Sequence, residues 1–158
     1  MKFTISTFIA LMLLLTNCNN SQKVQKTEFD ILFAEVMKIH DDVMPETNNL
    51  YKLKKIAQEN IAVLPDTSSM IKELMDIQLF SDKADDAMMD WMANFKIPES
   101  DHKSKITYLQ NEKIAITDVR GLMLSTIYKG KSLIRKSDKY IKKNKLRDER
   151  KTNLVPAF

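Results

Sequence analysis

The residues best placed for chemistry are Met37, His40 and Met44. They stand at i, i+3 and i+7, a spacing that lines one face of a helix. Two thioethers and an imidazole on one face make a soft donor set, and such donors suit Cu(I). A second methionine group, Met88, Met89 and Met92, surrounds Trp91. In an antiparallel helix pair Trp91 would pass Val36 to His40, bringing Met88 and Met92 toward the first three. The competing reading is packing, because methionine fills irregular gaps and contacts aromatic rings through sulfur. On that reading Phe33, Met37, His40, Met44 and Tyr51 form a second apolar stripe facing the third helical segment, and Trp91 is a packing anchor. Packing is the expectation carried forward, and no cofactor is expected.

Other constellations are weaker. Glu99-Ser100-Asp101-His102 matches E-x-x-H once, whereas a carboxylate-bridged di-iron bundle needs two such pairs on facing helices. This copy follows Pro98, where Ser100 or Asp101 serves better as a helix cap. Asp41-Asp42 and Asp85-Asp86 are adjacent pairs, so their side chains diverge around a helix and belong to solvated faces. Two histidines, two glycines and one cysteine leave no nucleophile motif, no glycine-rich phosphate loop and no C-x-x-C-H haem attachment. The chain is not expected to be an enzyme.

The amino terminus carries an address. Lys2 precedes a run from Phe3 to Leu15 that is apolar except at Thr4, Ser6 and Thr7. The run falls short of the roughly 20 apolar residues of a membrane span, and no A-x-A-like cleavage site closes it. Leu15-Thr16-Asn17-Cys18 resembles a lipobox, with Asn17 where a small residue is usual. The resemblance implies a signal peptide over 1–17 and a lipidated Cys18 that becomes the first mature residue. Each buried CH₂ of such a lipid contributes about 0.8 kcal/mol, and several chains hold a protein on a membrane. Asn19, in place of the aspartate of inner-membrane retention, implies the outer membrane facing the periplasm. Residues 18–27 are polar and read as a tether reaching roughly 30 Å.

The formal charge of the 158-residue chain is +4. Residues 142–151 alone hold six basic and two acidic side chains. Such a stretch suits nucleic acid or anionic lipid, but export argues against nucleic acid. With Cys18 the only cysteine, no internal disulfide forms, and helix packing must hold the fold.

The elements that position these residues are helical. Phe29, Leu32, Val36, Ile39, Val43, Leu50, Leu53, Ala57 and Leu64 recur at three- and four-residue steps, interrupted at Glu46 and Asn60. Thr27 is placed to cap this segment. Pro45 lies inside it and should kink or break it into pieces over 28–44 and 46–63. Met70, Leu74, Ile77, Ser81, Ala84, Met88, Trp91 and Phe95 give the same seam over 68–96, ended by Pro98. A third segment runs to about Tyr140 on Ile106, Leu109, Ile116, Val119, Met123, Ile127 and Ile134. Gly121 and Gly130 should each weaken it by about 1 kcal/mol. Short connections make sequential helices antiparallel neighbours. The expected fold is all-α, an elongated up-down-up three-helix bundle over 28–141, with a basic, disordered tail over 142–158.

His40-Asp41-Asp42-Val43-Met44-Pro45, Leu50-Tyr51-Lys52-Leu53-Lys54-Lys55 and Ala84-Asp85-Asp86-Ala87-Met88-Met89-Asp90-Trp91-Met92 resemble small helical lipoproteins of Bacteroidetes-type bacteria, often labelled "viral A-type inclusion protein". The similarity covers roughly residues 28–128. It implies a helical fold and an envelope location and brings no activity with it. The expected role is a lipid-anchored interaction or scaffold module, whose long apolar edges suit self-association or a protein partner. The alternative is a soft-metal or hydrophobic-ligand binder that uses the Met/His face.

Overall fold

The computed structural model describes residues 27–153. Among the described residues four α-helices make three legs. The first leg is α1 (Glu28–Val43), a 3₁₀ turn (Met44–Glu46) and α2 (Thr47–Val63); α3 (Met70–Asn94) and α4 (His102–Asn153) are the second and third. All three legs pack on one another, which makes the chain an all-α three-helix bundle. No described helix is long and apolar enough to cross a membrane.

Local chemistry sets each boundary. Thr27 caps α1 with a capping box: its Oγ1 accepts from the Asp30 N–H at 3.2 Å, and the Asp30 carboxylate accepts from the Thr27 N–H at 3.0 Å. At α4 Asp101 is the cap. Its two carboxylate oxygens accept from the Ser104 N–H and hydroxyl, both at 2.9 Å. The backbone bond from Ser104, reinforced by the hydroxyl, holds the Asp101 carboxyl below its ordinary range. Phe95 leaves α3 in an extended conformation and Pro98 follows, as proline requires of a helix ending before it.

Pro45 interrupts the first leg without breaking the rod. Lacking an N–H, it cannot bond to the carbonyl four residues back, and the chain tightens into the 3₁₀ turn. The Met44 N–H still reaches the His40 carbonyl, and the Thr47 hydroxyl donates to the Met44 carbonyl at 3.0 Å. The register against α4 shows the continuity. Glu35 pairs with Lys113 at 2.7 Å, 78 residues on. Beyond the proline, Asn60 donates to Ser137 and Asp138, 77 and 78 residues on. The first and third legs therefore run parallel at one offset on both sides of Pro45.

The core divides into two clusters. One gathers Val36, Val43, Leu50, Met88, Trp91, Leu109, Ile116 and Met123; the other gathers Leu53, Ala57, Leu64, Leu74, Ile77, Leu133 and Ile134. Gly130 belongs to this core. A Cβ built there would overlap three atoms of the Leu53 side chain, so the missing side chain is what lets α2 approach α4. Gly121 meets nothing within 4 Å.

One expectation is corrected. Residues 142–153 continue α4 as helix and are not the start of a disordered tail over 142–158. No glycine or proline stands between Lys131 and Val155, lysine and arginine are good helix formers, and basic side chains near a C-terminus suit the helix dipole. Residues 154–158 lie outside the described part.

The two glycines should separate in a stability measurement. Gly121→Ala is expected to stabilise the fold by up to about 1 kcal/mol. Gly130→Ala is expected to destabilise it by about 1–3 kcal/mol, the usual cost of overpacking. Urea unfolding followed by circular dichroism checks both, and equal gains at the two positions would rule out the close approach at Leu53.

Candidate functional site

The face that carries Met37, His40 and Met44 lies in the α1 half of the bundle, and Trp91 comes to it from α3. The His40 and Trp91 rings stack with centroids 5.6 Å apart and planes 29° apart. His40 Nδ1 lies 2.9 Å from the Asp41 carboxylate, and 15% of the side chain is exposed. One ring nitrogen and one ring face are therefore already engaged. Met44 packs, half-buried, against the larger core cluster, and Met37 is half-buried.

The methionines of α3 do not share one environment. Met88 is fully buried among core side chains. Met89 and Met92 are each 40% exposed. The seam explains the difference: Ala84, Met88 and Trp91 recur on the inward face, while Met89 turns away from it. Tyr51, placed on the second apolar stripe by spacing, is 68% exposed and corrects that part of the stripe.

Trp91 belongs to an aromatic cluster drawn from all three legs, with Phe95 at its hub. Its ring lies 4.9 Å from Phe95, which contacts Phe33 at 6.3 Å and Tyr108 at 6.0 Å; Phe29 stacks on Phe33 at 6.1 Å. The Tyr108 hydroxyl accepts from the Lys96 N–H at 2.7 Å, and burial raises its pKa. The indole itself is 8% exposed, and its Nε1 is buried with no hydrogen-bond partner. An orphaned donor costs about 1–3 kcal/mol, and burial of an aromatic side chain of this size outweighs that cost.

Other sequence candidates fall apart in space or serve elsewhere. Glu99 and His102 are exposed beside the Asp101 cap. Asp85 and Asp86 lie on α3, near the neighbouring Asp82 carboxylate that pairs with Lys54. Among the described residues no three His, Cys, Asp or Glu side chains group so as to hold a metal ion. Cys18 lies outside the described residues.

Spacing alone missed a buried polar layer. Asn60, 8% exposed, donates at 2.7 Å to the hydroxyl of Ser137, which is fully buried and itself donates to the Ile134 carbonyl at 2.9 Å. The clue was present, since Asn60 interrupts an otherwise apolar seam, but its partner 77 residues away had no local signal.

No protein-family model, curated protein or solved structure matches the chain. The fold and site define an all-α bundle whose Met/His face is drawn into aromatic packing.

Trp91→Ala is expected to cost about 3–5 kcal/mol. Trp91→Phe should cost less than about half as much, because it keeps the ring contact with Phe95 and deletes the orphaned N–H. His40→Ala should cost about 1 kcal/mol through the lost ring stack and leave Cu(I) uptake unchanged. Chemical denaturation and competition titration of reduced copper against a chromogenic chelator measure these effects. A tight one-to-one copper complex in the wild type, lost in His40→Ala, would replace the packing reading with a binding one.

Proposed function

We propose that the protein is a lipid-anchored, non-catalytic interaction module of the cell envelope, held through Cys18 at the outer membrane and facing the periplasm. The observation that carries this reading is the rod's single register. Glu35–Lys113 at one end and Asn60–Asp138 at the other keep the same offset of 78 residues across Pro45, so the body is one stiff unit entered at Thr27. At 1.5 Å per residue the first leg spans about 54 Å and α4 about 78 Å. A tether of roughly 30 Å between Cys18 and α1 would leave such a rod free to present its flanks.

The side chains support an interaction role over a catalytic one. His40, the histidine nearest the core, is stacked and hydrogen-bonded. Large exposed apolar side chains occur on every leg, among them Ile31 and Val63 on the first and Met75, Leu79, Phe80, Tyr128 and Leu146 on α3 and α4. Exposed apolar groups on a bundle otherwise rich in charge are the ordinary material of a docking surface. The resemblance to small helical envelope lipoproteins agrees with the same reading.

Cys18→Ala is expected to abolish lipid attachment and move the protein from the detergent phase to the aqueous phase, or to block processing of the precursor. Metabolic labelling with a clickable fatty acid, followed by phase partitioning, reads both effects. Unchanged labelling and partitioning would remove the anchor from this account.

A further inference from the structure

The flank between α3 and α4 is built with opposite charges on its two sides. On the α3 side of this flank stand Glu73 and Asp76. Residues 129–139 of α4 hold five basic side chains and one acidic one. The helices meet along an open groove of about 370 Å³, with Glu73 and Asp76 on the α3 rim and Lys129 and Lys136 on the α4 rim. Phe80 and Tyr128 also line it, 46% and 76% exposed. All four rim charges are exposed, and none makes an ion pair with another described residue. The groove therefore presents apolar rings between an unpaired acidic rim and an unpaired basic rim.

We propose that this groove is the self-association face of the protein, occupied by a second copy of the same chain in a parallel two-fold dimer. An isologous interface must be complementary to itself, with residue i meeting j and j meeting i. A two-fold axis running along the helices exchanges the rims, so each acidic rim meets the basic rim of the other copy at the same height. An axis running across the helices would instead set acid on acid and base on base, in antiparallel rods. The charge pattern thus selects the parallel arrangement. Within it Phe80 and Tyr128 of both copies fill the centre, where aromatic side chains concentrate in interfaces. Parallel rods also bring both α1 starts to the same end, as two chains tethered to one membrane require. The inference rests on the rims and their exposure and not on the lipid anchor, so either can fail without the other.

Charge reversal tests the pairing. The full chain, purified in density-matched detergent, is examined by sedimentation equilibrium. The wild type is expected at twice the chain mass. Glu73→Lys with Asp76→Lys gives two basic rims, and Lys129→Glu with Lys136→Glu gives two acidic rims. Each double variant alone should dissociate at least tenfold more readily. Mixed in equal amounts they should form a heterodimer, and the quadruple variant, with rims exchanged, should dimerise again. Circular dichroism confirms that each remains helical; if one double variant unfolds, the quadruple variant decides. A monomeric wild type, or double variants that stay apart when mixed while the quadruple variant also stays monomeric, would overturn the proposal. A dimer indifferent to every reversal would place self-association on another face and overturn it equally.

Discussion

The rest of the structure depends on one constraint: the first and third legs run parallel at a fixed offset. Three contacts hold it. Glu35 meets Lys113, Leu53 nests over Gly130, and Asn60 meets Ser137 and Asp138. The exposed ion pair contributes little by itself. The other two are buried and allow one arrangement. A slide of one turn would drive Leu53 against a side chain on α4 and leave the Asn60 amide facing apolar neighbours. Burying a polar group without a partner costs several times more than a made hydrogen bond contributes. A buried asparagine fixes register in coiled coils by the same logic.

That register explains why the most suggestive residues of the sequence pack and do not form an open site. With α3 antiparallel to the first leg, Trp91 reaches the level of His40 and stacks on it. Phe95 packs on the indole and is itself flanked by Phe33 and Tyr108. Aromatic clustering then holds the α1 end of the bundle, as aliphatic packing of Leu53, Leu74 and Ile77 holds the other.

Much of the fold could be read from spacing, because helix packing is a local, periodic demand. Val36, Val43, Leu50, Leu74, Met88, Leu109, Ile116 and Met123 are all buried where the seams put them. What escaped depended on a partner far along the chain. By local propensity Gly130 only weakens the third helix, and its use depends on Leu53, 77 residues back. Asn60 looked like a gap in the seam, and Ser137 carried no signal at all. Tyr51 sat on a periodic stripe yet faces solvent, because periodicity gives direction but not which flank has a neighbour. The basic stretch from residue 142 suggests an unstructured tail by its charge, although no glycine or proline in it stops a helix. The soft-donor face was visible from spacing, but the stacking that engages its imidazole was not.

Stiffness is what connects the fold to the proposed role, because a rod that held two registers or bent at Pro45 would not present a constant flank. Distances between spin labels test it directly. Ala34 with Asn111 and Glu59 with Lys136 share an offset of 77 residues and lie on opposite sides of the 3₁₀ turn. In a rod of one register each pair keeps one separation. Pulsed electron–electron double resonance on each pair, in samples diluted with unlabelled chain, should give a single narrow distance distribution at both. A second population at either pair would contradict the fixed register.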